Sequence, residues 1–391
     1  MRPSSLTLAA LALGSAALGA AAGTAGAQGS LSGQGFGYPP GQLSTRALGS
    51  GGGLGEFDPT SPLNPASTTQ FGRTAFAFQY DPEFRTTTVP GGGKASNTIA
   101  RFPVVALGVP FRRRFTVGLS ASTFLDRSFQ TRYTDTTAVG GQNVEATELI
   151  ESRGAISDLR LGVGAYAAQW LQVGVAVHGL TGNNRVVSGR QFTDTTQFGS
   201  VNDSSTIEYR GLMYSAGAIV TPVRGFSLAG SVRRGGSVKA ERNDSVLTRA
   251  DAPDRYGVGL RVDRITGATL AVSYARTTWS RMKSLGTAAL DPRDADEFGG
   301  GVEAVGPSLG AAPLIVRAGA RRRTLPFAIG GSRVRETNVS GGLGLPLAGG
   351  RALADLALQR SSRTPEGGTS AAIQGSRERA YTLSLGFTIR P

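Results

Sequence analysis

The chain lacks cysteine entirely and has a single histidine, His178. The missing thiols exclude disulfide bonds, and one histidine leaves too few ligands for a structural zinc site. Beyond the N-terminal residues, no apolar run approaches the roughly 20 residues that a membrane-spanning helix needs. A membrane helix is therefore excluded, but a barrel is not, because a closed ring of strand-to-strand hydrogen bonds can hold such a chain together.

The first 27 residues have the features of a signal peptide. Arg2 supplies a basic start, residues 6–22 are dominated by Leu, Ala and Gly, and Ala25-Gly26-Ala27 offers small residues at the cleavage positions. A segment of this kind is removed on secretion. The sequence therefore predicts a secreted protein whose mature chain begins at Gln28.

Basic residues outnumber acidic ones, which gives a formal net charge of +14, and nearly all of them are arginine. The arginines are scattered, without a basic helix or a motif for stacking on bases, so we do not expect nucleic acid as a partner. Outer-membrane lipid with anionic headgroups, including lipopolysaccharide, fits this charge better, as does a positively lined pore. No motif for a cofactor is present.

The mature chain divides into two parts. Residues 28–70 hold Gly-Tyr-Pro-Pro-Gly at 37–41, Gly-Ser-Gly-Gly-Gly at 49–53 and three prolines within 58–65. Glycine and proline at this density interrupt regular structure. The sequence predicts turns and one short helix in 28–70, followed by a second domain over 71–391, where apolar and polar residues begin to alternate.

The end of the chain shows this alternation most clearly. Tyr381, Leu383, Leu385, Phe387 and Ile389 would share one face of a strand, and small polar residues would share the other. An apolar outer face and a small or polar inner face are typical of membrane barrels. A soluble β-sandwich or propeller would instead have shorter strands and a core that is apolar on both sides.

Fourteen such strands follow one another, and we predict an all-β fold, a transmembrane antiparallel up-and-down β-barrel. The strands are predicted at 71–86, 98–108, 115–129, 147–166, 171–186, 206–220, 226–238, 254–263, 268–280, 295–304, 312–323, 335–345, 351–361 and 377–389. Short connections alternate with longer polar ones at 130–146, 187–205 and 239–253. Bacterial barrels have short periplasmic turns and long external loops. Both ends of the barrel should therefore face the periplasm of a Gram-negative bacterium.

Six charged residues on the predicted inner faces are candidate lumen and ligand-binding residues. They are Asp158, Arg160, Arg261, Asp263, Arg317 and Arg321. Opposite charges among them would meet across the pore. One interpretation is a structural salt-bridge network, because buried charges need partners. The other is that an arginine holds the carboxylate of an amphipathic ligand.

A barrel enzyme with a nucleophilic serine would need a base beside it, and His178 is the only histidine that could serve. No serine partner can be assigned to His178 from the sequence. We therefore predict that the chain is not an enzyme and has neither catalytic nor metal-binding residues.

The triplet Asn64-Pro65-Ala66 follows the Gly-rich stretch and stands just before the first predicted strand. Residues 46–67, with this triplet at their end, resemble the start of the FadL-type outer-membrane transport proteins and their PorV-like relatives. The resemblance implies fourteen strands with an N-terminal plug to which Asn64, Pro65 and Ala66 belong. Asn and Pro could also form an ordinary linker turn here.

The same resemblance implies a function, the passive uptake of a hydrophobic or amphipathic small molecule. The ligand would enter from outside, contact the plug, and leave through a gap in the wall or toward the periplasm. Two alternatives stay open, a general porin for polar solutes and a non-transport role as a PorV-like accessory protein of a secretion machine. The barrel-assembly machinery is a further expected partner, and the sequence does not indicate an oligomeric state.

Overall fold

The structure, a computed structural model, describes residues 36–89, 93–112, 114–139, 142–193, 198–285, 292–309, 312–329, 331–366 and 375–391. The predicted signal peptide, 1–27, and the next eight residues lie outside these ranges. No helix within the described residues is long and apolar enough to cross a bilayer.

Seventeen β-strands form one sheet within the described ranges. Their bounds are Ala75–Val89 (β1), Gly93–Arg101 (β2), Val104–Phe111 (β3), Phe115–Asp126 (β4), Phe129–Val139 (β5), Gln142–Ala168 (β6), Leu171–Phe192 (β7), Val201–Val223 (β8), Phe226–Arg242 (β9), Ser245–Asp251 (β10), Arg255–Ile265 (β11), Ala268–Thr277 (β12), Ala295–Leu309 (β13), Ala312–Ile329 (β14), Ser332–Leu347 (β15), Ala352–Glu366 (β16) and Arg377–Ile389 (β17). All pairings are antiparallel, and β1 pairs with β17. The sheet is therefore closed into a barrel.

Three positions around the barrel are each shared by two consecutive strands. β2 and β3 both pair with β1, β4 and β5 both pair with β6, and β10 and β11 both pair with β9. If the two strands that share a neighbour are counted as one, the seventeen strands occupy fourteen strand positions around the barrel. The predicted all-β barrel and its strand number are thus confirmed.

Two predicted strands are interrupted, and both lie on the same side of the barrel. The predicted strand 98–108 breaks at Phe102 and Pro103, where proline has no N–H to donate to a ladder. The predicted strand 115–129 ends at Asp126. The polar stretch 130–146, predicted as an external loop, instead forms the hairpin of β5 and β6, because its four threonines, Tyr133 and two valines favour strand structure.

Other predicted boundaries shift near the long-loop end of the barrel. Much of the predicted loops 187–205 and 239–253 is strand, since β7, β8, β9 and β10 extend beyond the apolar band. The predicted strand 268–280 ends at Thr277, and a 3₁₀ helix, Trp279–Leu285, follows it.

The outer face of the barrel is an apolar band with aromatic edges. On β17, Leu385 and Phe387 are each 43% exposed, whereas the inward-facing Ser384, which precedes Leu385, is 1% exposed. Tyr214, Phe298 and other exposed aromatic residues border the band at the long-loop end. Lipid requires such an apolar exterior with aromatic girdles. The barrel is that of a bacterial outer-membrane protein, and the end with the short turns is called periplasmic below, in the orientation that the sequence predicts.

The inside of the barrel has two zones. Residues 36–70, called the plug below, fill the periplasmic half and include one helix, Thr45–Gly49 (α1), and a 3₁₀ helix, Pro65–Gln70. The outer half contains a cluster of buried apolar side chains. A third 3₁₀ helix, Ala348–Gly350, forms a short periplasmic turn.

Candidate functional site

The plug packs against a belt of inward-facing glycines in the barrel wall. A Cβ atom added to Gly174 would lie 2.4 Å from the carbonyl carbon of Pro65, and one added to Gly319 would lie 2.3 Å from that of Ser50. The other glycines of this belt are Gly118, Gly164, Gly217, Gly257, Gly259, Gly299, Gly301, Gly342 and Gly386. A larger residue at these positions would crowd the plug, most severely where the close atom belongs to the plug backbone, so glycine lets the wall and the plug pack closely.

The triplet Asn64-Pro65-Ala66 is buried at the start of the 3₁₀ helix Pro65–Gln70. Asn64 Oδ1 accepts a hydrogen bond from the amide of Ala66 at 2.9 Å, and Asn64 Nδ2 donates to the carbonyl oxygen of Ala218 in β8 at 3.4 Å. Pro65 occupies the first helical position, where its missing N–H costs nothing. The contact with β8 favours a role in holding the plug over that of a simple linker turn.

Arg317 joins three strands to the plug. Its Nε donates to Glu303 Oε2 at 2.7 Å and its Nη1 donates to Asp355 Oδ1 at 2.6 Å. Arg46, on α1 of the plug, binds both oxygens of Glu303, at 2.8 and 2.6 Å. The arrangement at Arg317 is that of a structural salt-bridge network.

Tyr38 anchors the outer end of the plug among arginine side chains. Its phenol donates a hydrogen bond to Glu336 at 2.8 Å, and burial raises the pKa of this phenol, so it stays protonated. The phenol oxygen accepts hydrogen bonds from Arg323 and Arg363 at 2.6 and 2.8 Å. Four guanidinium carbons lie 4.5–5.2 Å from the ring centroid, those of Arg85, Arg101, Arg323 and Arg363. Such cation–π contacts hold the ring from several sides.

Asp158 lies at the centre of a second polar group. Its carboxylate is 2.9 Å from His178 Nδ1 and accepts a hydrogen bond from Gln42 of the plug at 2.9 Å, while His178 Nε2 is 2.8 Å from the Ser215 hydroxyl. Sequence reasoning missed Ser215 because only the pairing of β7 with β8 brings it to His178. The inward position of Ser215 in the alternation of β8 was the one available signal.

The row of Ser215, His178 and Asp158 has the composition of a hydrolytic triad but not its surroundings. Ser215 lies in the middle of β8, which is paired on both sides. The amides on either side of Ser215 are therefore used in the two ladders and cannot stabilise an oxyanion. Within the described residues, no group of His, Cys, Asp and Glu is arranged to hold a metal ion. We interpret the row as a hydrogen-bonded link between the wall and Gln42.

Arg160 and Arg233 lie beside this group with unused donors. Within the described residues, Nε and Nη2 of Arg160 and Nε of Arg233 are buried and have no hydrogen-bond partner. Another nitrogen of Arg233 donates to Gln42 at 2.8 Å. Buried donors without partners are costly. An acidic group that entered the lumen would satisfy them.

The remaining predicted residues lie elsewhere. Arg261 and Asp263 pair with each other at 2.9 Å at the periplasmic end of β11, and both are partly exposed. Arg321 is buried beside the Tyr38 group, with its Nη1 3.6 Å from Glu297. The six predicted residues thus form separate groups around the plug and do not converge on one site.

The outer half of the lumen is lined by apolar residues that sequence reasoning did not single out. Trp279 packs edge-on against Phe36, at 5.9 Å between ring centroids, and its ring is tilted by 35° against that of Phe124 at 5.3 Å. The other large members of this apolar cluster are Tyr38, Leu125, Ile156, Leu180, Ile207, Tyr209, Met213, Val238, Met282, Leu285, Leu325, Phe327 and Val334. The alternation of apolar and polar residues along a strand cannot reveal such residues, because it does not say which of the two faces points into the lumen near the end of a strand.

A small cavity lies where the apolar cluster meets the plug. It has a volume of about 60 Å³. Apolar side chains, including Leu63, Phe124 and Trp279, form one part of its lining. Arg233, Arg255 and Arg323 form another, together with Asp296 and Glu297. The cavity therefore offers an apolar surface beside charged groups, among which the arginines outnumber the carboxylates.

The barrel wall has a gap in its outer half. Within the described residues, β2 pairs only with β1 and β5 pairs only with β6, whereas β3 pairs with β4 along its whole length below them. Tyr38 and Asp126 exchange backbone hydrogen bonds of 2.7 and 2.9 Å where that ladder stops. Arg101 Nε also binds Asp126 Oδ2, at 2.8 Å. The plug thus closes the base of the gap.

Several solved structures are similar to this barrel. A Pseudomonas aeruginosa FadL homologue matches with a TM-score of 0.60 at 14% identity, over 90% of this chain and 99% of that one. The Pseudomonas putida toluene transporter TodX matches with a TM-score of 0.55 at 13% identity, over 92% and 98%. The CymD monoaromatic hydrocarbon channel matches with a TM-score of 0.54 at 13% identity, over 89% and 97%.

No family model and no curated protein matches the chain. At identities this low, the similarity concerns the fold and not the ligand. The chain therefore has the fold of the FadL-type outer-membrane transport proteins, as the resemblance of residues 46–67 implied.

Proposed function

We propose that this protein is a channel for the passive uptake of hydrophobic or amphipathic small molecules, gated by the plug. The apolar cluster is the observation that carries this proposal. A lumen lined by Phe36, Phe124, Trp279 and aliphatic side chains is a poor path for ions and a favourable site for an apolar ligand. The solved structures described as a toluene transporter and a monoaromatic hydrocarbon channel support this ligand class.

The arginines beside the cavity suit a ligand with an acidic group. The apolar part of the ligand would lie against Trp279 and Phe124. The carboxylate of the ligand would accept a hydrogen bond from Nε of Arg233, which has no partner within the described residues. A cavity of about 60 Å³ is far smaller than the roughly 300–1,000 Å³ of typical ligand pockets. A ligand must therefore displace part of the lining.

The outer end of the plug is the part of the lining that a ligand would displace. Phe36 packs against Trp279, and two residues later Tyr38 closes the base of the wall gap. Movement of Phe36 would separate Tyr38 from Asp126 and open the wall sideways. The glycine belt keeps the periplasmic half of the lumen closed, so exit through the gap is favoured over exit toward the periplasm.

Tryptophan fluorescence tests the ligand class, because the two tryptophans have opposite surroundings. Trp279 is buried in the apolar cluster, and Trp170 is exposed at a short turn. In the Trp170→Phe variant, we expect a brominated fatty acid or bromobenzene to quench Trp279 in a saturable manner. The Trp279→Phe variant is the matched control, in which Trp170 should show only non-saturable quenching. Loss of saturation in the first variant would contradict the proposal.

Conductance in planar bilayers tests the gate. We expect the intact protein to be nearly closed and removal of residues 28–66 to raise non-selective conductance, because the glycine belt would then line an open pore. Unchanged conductance would rule out the plug as the gate. An intact protein that is open with a mild anion preference would indicate a general porin. A stable complex with a larger outer-membrane protein and no ligand binding would indicate an accessory role.

A further inference from the structure

Three exposed arginines lie close together on the outer face of the barrel, at the outer edge of the apolar band. Arg322 on β14, Arg360 on β16 and Arg379 on β17 are all exposed. Strand register runs from Arg322 through Thr337 and Ser362 to Arg379, and Arg360 lies two residues from Ser362. Strands about 4.8 Å apart with a rise of about 3.3 Å per residue put the three Cα atoms within roughly 8–15 Å of one another.

Several outward arginines on other strands have acidic partners. Arg210 pairs with Glu208 at 3.3 Å and Arg234 pairs with Asp254 at 2.8 Å. Within the described residues, no carboxylate lies within 4.0 Å of the guanidinium groups of Arg322, Arg360 or Arg379. The outward carboxylates nearest in strand register already have partners: Asp296, two residues from the register partner of Arg322, pairs with Arg276 at 3.6 Å, and Glu366 pairs with Arg335. Three like charges close together favour an anionic partner.

An apolar groove lies on the same strands, closer to the periplasm. It has a volume of about 780 Å³, and its walls include Leu343, Leu356, Leu385 and Phe387. On β16, Leu356 and Arg360 are four residues apart, which is about 13 Å along the strand. A single lipid molecule spans that distance between its phosphate group and the middle of an acyl chain.

We propose that this face binds a lipopolysaccharide molecule of the outer leaflet. Its lipid A phosphates would lie on Arg322, Arg360 and Arg379, and an acyl chain would occupy the groove. Guanidinium groups bind phosphate oxygens through two parallel hydrogen bonds, and the outward hydroxyl groups of Thr337 and Ser362 can add donors between them. The arginines lie at the outer edge of the band, which is the level of the outer-leaflet headgroups. The proposal rests on the outward face alone and does not depend on transport.

Lipid titration of the purified full-length barrel in mild detergent tests the proposal. We expect the variant R322Q/R360Q/R379Q to bind bis-phosphorylated lipid A at least tenfold more weakly than the unchanged protein, as measured by native mass spectrometry. The matched control is R185Q, since Arg185 is exposed on β7 and also has no acidic partner in the described residues. Its affinity should be unchanged. The shift between heated and unheated samples on a denaturing gel reports whether each variant is folded.

Two results would overturn the proposal. One is equal lipid A affinity of the folded triple variant and the unchanged protein. The other is equal affinity of the unchanged protein for lipid A and for phosphatidylglycerol, since any anionic headgroup would then suffice. If the triple variant does not fold, the single variants R322Q and R379Q serve instead, and we expect each to bind lipid A about threefold more weakly. Unchanged affinity in both single variants would also overturn the proposal.

Discussion

Single glycines decide whether the plug fits the barrel. At Gly174 and Gly319 the plug backbone lies so close that no side chain has room. The abundance of glycine was visible in the composition. The composition did not show which glycines contact the plug, because this depends on the path of the plug through the barrel. The same is true of Tyr38, whose neighbours Arg85, Arg101 and Arg363 come from distant parts of the chain.

Replacement of Gly174 by alanine should loosen the plug. The added methyl group would lie 2.4 Å from the carbonyl carbon of Pro65, and overpacking of this kind costs about 1–3 kcal/mol. We expect a lower thermal unfolding midpoint and more frequent channel openings in planar bilayers. Gly230→Ala is the control, because a Cβ atom there would have no neighbour within 4 Å. Equal behaviour of the two variants would mean that the plug adjusts without cost.

At the scale of strands, the alternation of apolar and polar residues predicted most elements correctly. It failed where two strands share one position, at the break between β2 and β3 and at the one between β4 and β5. Each of these short strands has a sequence that favours strand structure. Nothing in its own residues therefore indicates that it lacks a paired strand on one side. The gap follows from the register of whole strands.

Hydrogen–deuterium exchange should reveal the gap between β2 and β5. Each of these strands is paired on one side only in the described residues, whereas β7 is paired on both. Amides that face the gap have no ladder partner, so we expect them to exchange at least roughly tenfold faster than amides of β7. Comparable protection of β2, β5 and β7 would mean that the wall is closed in solution.

For the whole molecule, the alternation of short and long connections predicts the orientation in the membrane. The short turns are at the end that the plug fills, and the long connections are at the end lined by the apolar cluster. A ligand from outside would therefore meet the apolar cluster before the plug. A reversed barrel would present the plug first.

Cysteine labelling on intact cells tests this orientation, and the absence of native cysteine removes any background. Gly199 is exposed between β7 and β8 at the long-loop end, and Arg224 is exposed in the short turn between β8 and β9. A membrane-impermeant maleimide should label Gly199→Cys but not Arg224→Cys until the outer membrane is permeabilised. The reverse pattern would invert the barrel.

The amino-acid sequence by itself determined the barrel, its strand number and its outward face. A period of two assigns each side chain to one of two faces, and lipid accepts only an apolar one. Local pattern also marked the N-terminal segment, because its glycines and prolines break the alternation. It could not decide which inward side chains meet.

Only the tertiary structure decided that His178 meets Ser215, that Tyr38 lies among arginines, and that the outer lumen is apolar while its periplasmic half is filled. These contacts depend on the register between strands and on the path of residues 36–70 through the barrel. Both are properties of the closed sheet as a whole, since a shift of one strand by one residue would turn every side chain on it to the other face.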